Sequence, residues 1–265
     1  MFRMLFIGDI VGSFGRYMVT KHVPLLREKY ELDFVVANGE NVTHGKGIIR
    51  HHFDALISAG IDVVTLGNHY DAKSEIKSFI HETPQLIRPL NIKQEYPGLG
   101  TDVFEVQGLT IRITNMMGQA FMEKTAQSTI HHPFEAMETL LKEKETTFHL
   151  VDFHAEATGE KHAFAYAFDG KVTAVLGTHT HVQTNDARIL PLGTAYMTDV
   201  GMTGAHDGIL GVKKEAVIAK MWKGTPGPFE PLDHGEGVLS AVILECDEKI
   251  GRVTHIHSIQ VKERR

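Results

Sequence analysis

The sequence predicts an α/β fold in which two mixed β-sheets form a sandwich flanked by helices, a four-layer αββα arrangement. Over the N-terminal third, apolar runs bounded by glycine alternate with helical patterns, as in α/β units with buried strands. Further along, apolar runs come in pairs around short turns, which indicates antiparallel pairing. No linker-like stretch interrupts the 265 residues. These observations favour a two-sheet sandwich over a single doubly wound sheet, and a single domain spanning residues 1–265.

Three strands and three helices alternate in the first third of the chain. The strands are the apolar runs RMLFIG, DFVVANG and DVVTLG, each of which ends at a glycine. Gly60 fits the position that follows a helix, and Ser74 fits the N-cap of the helix that it precedes. The predicted helices span residues 16–30, 52–59 and 74–81.

Antiparallel strands enter in the remainder of the chain. The stretch TDVFEVQGLTIRITNM is typical of two strands around a Gln-Gly turn, and a long C-terminal hairpin is expected to turn within residues 247–251. Helices are predicted over residues 133–144, where a proline lies near the start, and 213–222. Further strands are predicted in TFHLVDF, KVTAVLG and RILPLGTAYMTDVG. Loops 89–100 and 117–131 are the candidates for flexible segments or small lids.

The composition is that of an ordinary globular protein, with 42% hydrophobic and 23% charged residues. Cys246 is the single cysteine, so no intramolecular disulfide can form and a reducing, cytoplasmic setting is expected. The N-terminal apolar run is too short for a signal peptide, and no run reaches the roughly 20 residues of a membrane-spanning helix.

The charge of the chain also limits its partners. A net charge of −6 without a basic stripe argues against binding to duplex nucleic acid. The net charge does not exclude a small phosphorylated substrate, because bound metals would supply positive charge. No interface signature decides between a monomer and a homo-oligomer.

Residues that bind metals follow five of the apolar runs. Ligands of α/β folds bind beyond the carboxyl ends of strands, so neighbouring strands would bring these residues to one rim. Seven ligands exceed the three or four of a typical catalytic zinc site, which suggests two metals that share a carboxylate. Imidazoles favour iron, manganese or zinc over a purely magnesium site; iron and manganese are expected first, with Mg²⁺ or Zn²⁺ as alternatives. The candidate ligands are Asp9, Glu40, Asn41, Asn68, His154, His179 and His181.

Each of these residues also has a structural interpretation when it is taken singly. An aspartate after a strand is most often a turn or capping residue, and the same holds for Asn68. A lone histidine such as His154 is commonly a hydrogen-bonded core residue, and we assign His149 and His162 to that kind. Five coincidences at five strand ends favour the metal site, although short motifs do produce false positives.

The ordered blocks GDIVG, NGEN, GNH, a lone histidine and GTHTH resemble the calcineurin-like metallophosphoesterases. That superfamily carries D-x-H, G-D-x-x-D, G-N-H-[DE], a lone histidine and G-H-x-H. The resemblance covers about residues 4 to 200. Its most specific part is GNH followed later by GTHTH, and it implies the αββα metallophosphoesterase fold.

Departures from the superfamily pattern narrow the resemblance. Val11 stands where a ligand histidine is usual, Gly-Glu-Asn replaces Gly-Asp, and Tyr70 follows His69. This variant, with ENVTHGKG and RPLN, resembles the YmdB-type family of bacterial phosphodiesterases. The resemblance implies that Glu40 bridges two metals and that Asn41 fills the place of the missing histidine. One metal would be held by Asp9, Glu40, Asn41 and His181, and the other by Glu40, Asn68, His154 and His179.

The resemblance also implies hydrolysis of a phosphodiester, with cyclic nucleotides of the 2′,3′- or 3′,5′-cAMP type as expected substrates. Two metals can clamp a phosphoryl group, and a hydroxide that bridges them is the expected nucleophile. His69 lies next to Asn68 and is not needed as a ligand. We assign it as the general acid that protonates the leaving oxygen, with a role in orienting the metal ligands as the alternative. His44, Lys46 and Arg88 are candidate phosphate contacts, although surface charge explains each of them singly.

The loop NGENVTHGKG shares its glycines and its lysine with the loops that bind nucleotide phosphates. The Walker pattern needs four residues between its first glycine and Gly-Lys, and then a hydroxyl residue. Here five residues separate Gly39 from Gly45, and Gly47 follows Lys46. Glu40 would also repel a phosphate. The loop is therefore predicted to hold a metal.

Three other functions are carried as alternatives. A dinucleotide-binding protein is disfavoured because GDIVGSFG lacks the G-x-G-x-x-G spacing and Asp9 would face the pyrophosphate. A regulatory protein with a non-catalytic metal site is the second alternative, because a sequence does not reveal whether a coordination position stays open to water. The third is a phosphomonoesterase or nucleotidase that uses the same site.

Overall fold

Two β-sheets pack face to face in the computed structural model, which describes residues 1–93, 95–122, 130–225 and 227–265. The sheets have eight and six strands. Helices cover the outer face of each sheet, and one apolar layer lies between the sheets. The expected αββα sandwich is confirmed.

The first sheet is mixed. Strands β1 (Phe2–Ile7), β3 (Phe34–Asn38), β4 (Val63–Thr65) and β5 (Leu86–Ile87) are parallel neighbours in that order. On the other side of β1 lies the long antiparallel strand β13 (Glu236–Asp247), which also pairs with β14 (Arg252–Arg264) and β12 (Met202–Ala205). The two-residue strand β2 (Asp9–Ile10) is parallel to β12.

The second sheet has a parallel centre and antiparallel edges. Its order is β10 (Arg188–Ile189), β11 (Ala195–Met197), β9 (Ala174–Thr178), β8 (Phe148–His154), β7 (Leu109–Met117) and β6 (Thr101–Val106). The edge strands β6 and β10 are antiparallel to their neighbours, and the four strands between them are mutually parallel. Parallel strands end on the same edge of a sheet, so β7, β8 and β9 all end on one rim.

Six α-helices lie in the part of the chain that the structure describes, together with a short 3₁₀ turn over Ile80–Glu82. No helix among them has both the length and the apolar character needed to cross a bilayer. Their bounds are α1 (Gly12–Tyr30), α2 (Arg50–Ser58), α3 (Ile76–Phe79), α4 (Pro133–Leu140), α5 (Thr158–Ala167) and α6 (Lys214–Lys223).

Period-two alternation explains why strand β1 carries apolar residues on both of its faces. In β1, Phe2, Met4 and Phe6 belong to the core between the sheets, whereas Leu5 and Ile7 belong to the core beneath α1 and α2. Successive side chains of a strand point to opposite faces. Because both faces of the sheet are covered along β1, five of its six residues are apolar and the sequence shows a nearly continuous apolar run.

Several predicted elements differ from the observed ones. Helix α1 begins at Gly12, four residues before the expected start, and α4 ends at Leu140. The third helix is much shorter than expected, and its N-cap is Glu75 without a side-chain cap, so the assignment of Ser74 is wrong. Gly60 does follow α2, with a φ of 99° that suits glycine.

Helix α5 and strand β12 were not expected from the sequence. The buried face of α5 carries Lys161 beside Phe164 and Ala165, so the apolar periodicity that marks a helix is interrupted by a charged residue. Strand β12 has four residues and is defined only by its pairing with β13 and β2. Of the candidate lid loops, residues 94 and 123–129 lie outside the described residues.

His149, in strand β8, is a buried polar residue that is hydrogen-bonded through its ring and its backbone. Its Nε2 lies 2.9 Å from Oγ1 of Thr114, and its backbone N–H donates to Oγ1 of Thr173 at 2.9 Å. Burial, together with the charge of Arg112, lowers the pKa of His149 to about 3. The structural role expected for this residue agrees with its position.

Replacing His149 with Gln should reduce the acid sensitivity of the fold. The imidazole has a pKa of 6.5 when unperturbed and about 3 in the folded chain. As the pH falls below 6.5, the unfolded chain therefore gains a proton that the folded chain does not take up. This lowers the free energy of unfolding by up to about 1.4 kcal/mol per pH unit.

The measurement is urea unfolding of both proteins from about pH 8 to about pH 4.5, a range that spans the unperturbed pKa of histidine. The variant should show the shallower loss of stability below pH 6.5, and the two curves should run parallel above pH 7. Identical slopes in the acid range would contradict the buried, neutral state of His149.

Candidate metal centre

The candidate ligands meet where strands of both sheets end. Asp9 follows β1, Glu40 and Asn41 follow β3, and Asn68 follows β4 in the first sheet. In the second sheet, His154 is the last residue of β8, and His179 and His181 follow β9. The strands of each set run parallel, so their carboxyl ends lie on one rim of the sandwich.

His154 lies at the middle of this cluster. Its Nε2 is 2.9 Å from Oδ1 of Asn68, 3.0 Å from Nδ1 of His179 and 3.3 Å from Oε1 of Glu40. Among the described residues, Glu40, His154 and His179 offer ligand atoms that all lie within 4.8 Å of one another. Such a convergence of carboxylate oxygen and imidazole nitrogen is a donor set for a divalent transition metal.

The other candidates border this cluster. Oδ2 of Asp9 accepts the backbone N–H of His179 at 3.1 Å, and Oδ1 of Asn41 is 3.3 Å from Nε2 of His181. The amide nitrogen of Asn41 donates to the carbonyl of Gly45 at 2.9 Å. That bond turns the amide oxygen of Asn41 toward His181, as a ligand role requires.

An oxygen outside the cluster lies beside one nitrogen of each of the three imidazole rings. His154 donates from Nδ1 to Oγ1 of Thr178 (2.9 Å), and His181 donates from Nδ1 to the carbonyl of Leu210 (3.0 Å). Nε2 of His179 lies 3.2 Å from Oε2 of Glu156. In each ring the other nitrogen faces the cluster, where it can bind a metal once it is deprotonated. This pattern is usual for metal-bound histidines, whose second nitrogen donates to an oxygen that fixes the ring.

A buried relay supports His154. The hydroxyl of Thr178 donates to Oδ1 of Asp152 at 2.6 Å, so its oxygen is left to accept from His154. Oδ2 of Asp152 accepts from Thr65 (2.5 Å) and from Asn38 (2.9 Å), which lie on β4 and β3. The relay therefore joins the two sheets directly beneath the cluster.

Two further observations show that the residues fit a bound cation. Oδ1 of Asp9 is buried and has no hydrogen-bond partner in the described part of the chain. A buried carboxylate oxygen is costly unless it is paired or coordinates a metal. A Cβ atom at Gly67 would collide with the carboxylate of Glu40 and the imidazole of His154, so only glycine leaves these ligand atoms in place.

The pKa values show how strongly these groups affect one another. Burial lowers the pKa of His179 to about 3, with His154 adding to the shift. Burial would also lower the pKa of His154, but the charges of Glu40 and Asp9 outweigh it and raise this pKa to about 9. Burial raises the pKa of Asp9 to about 6, against the opposing effect of His181 and His154. The pKa of Glu40 is lowered, because His154 and the N–H of His69 outweigh its burial.

The loop after β3 does not form a phosphate cradle. Its backbone N–H groups are used within the loop: Val42 donates to Gly39, Thr43 to Gly47 and Lys46 to Thr43. A phosphate cradle needs several N–H groups that point at the ligand. The structure therefore agrees with the prediction that the loop presents Glu40 and Asn41.

A buried ion pair supports the loop that carries His179 and His181. Both histidines have positive φ values, 104° and 65°, a backbone conformation that strains non-glycine residues. Nζ of Lys161 donates to the carbonyl of Thr178 at 2.8 Å and to Asp199 at 2.7 Å.

Asp199 also accepts the N–H groups of Thr180 (3.0 Å) and Gly201 (2.8 Å). Lys161 and Asp199 are both fully buried. Sequence reasoning missed this pair, as it missed Asp152, Thr178 and Glu156. The one available signal was a lysine just before the apolar stretch AFAYAF, residues 163–168.

The remaining candidates surround the cluster. The N–H of His69 donates to Oε2 of Glu40 at 3.0 Å, and its ring is partly exposed beside Asn68. His44 and Lys46 are exposed at the tip of the loop after β3. Arg88 instead donates to the carbonyls of Pro89, Tyr96 and Pro97. Its bonds fasten the loop after β5, so its geometry favours a structural role.

Comparison with known proteins identifies the family of the chain. The sequence model of the YmdB-like protein family matches residues 5–259. The chain belongs to this family. The 2′,3′-cyclic-nucleotide 2′-phosphodiesterase of Bacillus subtilis is 43% identical over 263 residues, which are 98% of this chain and 97% of that protein. The expectation of a phosphoester hydrolase is thereby confirmed.

Solved structures agree as well. A crystal structure described as a novel phosphatase of Mycoplasma pneumoniae superposes with a TM-score of 0.93 and 36% identity, covering 99% of this chain and 94% of the other. A putative 5′-nucleotidase from Staphylococcus aureus shares 16% identity with a TM-score of 0.63, covering 97% of this chain and 54% of that one. The latter likeness concerns the fold alone and supports the metallophosphoesterase-type sandwich.

Replacing Lys161 with Met should destabilise the protein and weaken metal retention. The change leaves Asp199 buried without its cation, which typically costs about 3–5 kcal/mol. Urea unfolding and metal content after dialysis are the measurements. Lys213→Met, which breaks the exposed ion pair with Glu230, is the control and should change neither value appreciably.

A double variant distinguishes the contribution of the ion pair to stability from its support of the loop that carries His179 and His181. Replacing a buried pair by apolar residues often restores stability. Here Lys161→Met with Asp199→Leu should not restore metal retention, because the N–H groups of Thr180 and Gly201 also lose their acceptor. Wild-type metal content in the double variant would contradict this role.

Proposed function

We propose that this protein is a dinuclear-metal phosphodiesterase that hydrolyses cyclic nucleotides of the 2′,3′-cyclic type. The observation that carries the proposal is the arrangement of His154, His179 and His181. Each ring has one nitrogen beside an oxygen outside the cluster and turns the other inward, His154 toward Asn68, His181 toward Asn41 and His179 toward His154. The substrate class follows the name of the Bacillus subtilis relative.

Two metals would share Glu40 in this proposal. Asp9, Asn41 and His181 would complete one site, and Asn68, His154 and His179 the other. The donor set combines nitrogen and hard oxygen ligands, which favours iron or manganese ahead of zinc or magnesium. When bound, the two cations would withdraw charge from the phosphoryl oxygens and lower the pKa of water at the site.

His69 would serve as the general acid. Its backbone N–H is held by Glu40 (3.0 Å), which fixes the residue beside the cluster while the ring stays partly open to solvent. In the reaction, a water that has given one proton to solvent bonds to phosphorus as hydroxide, and the bond from phosphorus to the ribose 2′ oxygen breaks. His69 gives that oxygen a proton and regains one from solvent. A nucleoside 3′-phosphate is the product.

His44 and Lys46 are the proposed contacts to substrate outside the metal centre. Both are exposed on the loop that carries Glu40 and Asn41, so they can approach the same phosphoryl group. Arg88 is left out, because its guanidinium already serves three carbonyls. We further propose that residues 1–265 form a single catalytic domain that works in the cytoplasm, where its buried Cys246 stays reduced.

A phosphomonoesterase is the second candidate function. The crystal structure from Mycoplasma pneumoniae is described as a phosphatase, and the same ligand set can serve monoesters. The metal-loaded protein should convert 2′,3′-cyclic AMP to 3′-AMP and leave 3′-AMP intact, with both followed by chromatography. Release of inorganic phosphate from 3′-AMP would favour the phosphatase. Bis-p-nitrophenyl phosphate with added Mn²⁺ is tested as a further substrate. Failure to convert any of these compounds would favour a metal-binding regulator.

Two variants should separate catalysis from metal binding. His69→Ala is expected to lower turnover by about 10²–10⁴-fold, as loss of a general acid does, and to keep its metal. Glu40→Gln is expected to lose metal and activity together, because the proposed bridge is removed. Metal content by mass spectrometry and turnover of 2′,3′-cyclic AMP are the measurements. Wild-type turnover in the first variant, or full metal content in the second, would refute the assigned roles.

A further inference from the structure

A cavity of about 660 Å³ lies at the end of the sandwich opposite to the metal centre. Its wall includes His149 and Thr173, at the amino ends of β8 and β9, and the turn between β13 and β14. His154 and His179 lie at the carboxyl ends of the same two strands. His154 is five positions beyond His149, which corresponds to roughly 17 Å along a strand. The cavity is therefore distinct from the metal centre.

The wall of the cavity carries more positive than negative charge. Two of its three glutamates are paired: Glu143 with Arg112 (2.7 Å) and Glu248 with the N-terminal amino group (2.7 Å). Four cations in the wall have no carboxylate within ion-pair distance in the part of the chain that the structure describes, namely Lys144, Lys171, Lys249 and Arg252. Glu145 is the remaining carboxylate. On a chain with a net charge of −6, this is a local positive field that attracts anions.

The wall combines rigid polar groups with apolar ones. Arg112 is 7% exposed and is fixed by Glu143 and by the carbonyl of Lys144 at 3.3 Å. The backbone of His149 is bonded to Thr173, so the inner wall is held in place. Apolar side chains complete the cavity, and these are Leu140, Leu141, Val172, Leu192 and Ile250. Small-molecule sites commonly have volumes of about 300–1,000 Å³. The wall of this cavity is more polar than apolar, which suits an anionic ligand.

We propose that this cavity is a second ligand site, which binds a phosphorylated small molecule of about mononucleotide size. The cations receive the phosphate, and the apolar side chains contact the organic part of the ligand. This inference does not depend on the proposed phosphodiesterase reaction, because it rests on residues at the other end of the strands. It names a ligand class and not a particular metabolite.

Hydrogen exchange on the metal-loaded protein, with 5′-AMP as the probe, tests the proposal at the cavity itself. Peptides that cover residues 140–149 and 247–253 should exchange more slowly when 5′-AMP is added. Adenosine should have no such effect, because it lacks the phosphate. Inorganic phosphate should have a much weaker effect, because it leaves the apolar wall uncovered.

Matched charge reversals make the test specific. Lys144→Glu with Arg252→Glu should weaken 5′-AMP binding at the cavity by about tenfold or more and abolish the protection. The control is Lys142→Glu with Arg264→Glu, which changes the net charge equally. These two residues lie on the same segment and the same strand but outside the cavity wall. The control variant should keep both the affinity for 5′-AMP and the protection from exchange.

Three results would overturn the proposal. The first is the absence of protection by 5′-AMP in the wild-type protein. The second is equal protection by inorganic phosphate, which would reduce the cavity to a site for simple anions. The third is equal weakening in both double variants, which would show a general charge effect. Melting temperatures and turnover close to those of the wild type establish that each variant is folded.

Discussion

The metal centre depends on one constraint, namely that parallel strands of both sheets end on the same rim. Glu40 and Asn68 come from the first sheet, and His154 and His179 from the second. Their ligand atoms approach one another only because the sheets pack through a shared apolar layer, in which Phe2 and Phe148 stack at 5.6 Å. The apolar contact between sheets thus sets the distances within the polar site.

Placing polar groups at the edge of such a core is costly unless each of them has a partner. The structure meets this need with a second layer of polar residues beneath the ligands. Thr178 and Asp152 hold His154, and Lys161 with Asp199 holds the loop of His179 and His181. Asp9 is left with an oxygen that no group in the described residues satisfies, and a cation is the partner that its position suits.

The two ends of strands β8 and β9 serve different purposes. At the carboxyl ends, carboxylates and imidazoles form a site for cations. At the amino ends, lysines and arginines surround a cavity suited to anions. The strands between them are buried on both faces and mostly apolar, with Asp152 of the relay as the charged residue of β8. In our proposals, this division separates a catalytic site from a site for a second ligand.

The sequence by itself determined the αββα class, the main strands and the seven candidate ligands, because continuous apolar runs and the polar residues at their ends are local patterns. It did not reveal α5, whose buried face carries Lys161, nor the short strand β12. It also grouped Arg88 with the phosphate contacts. Tertiary structure decided these points: a lysine belongs in a core only when Asp199 faces it, a four-residue strand exists only beside its partners, and the role of a guanidinium depends on the carbonyls it meets.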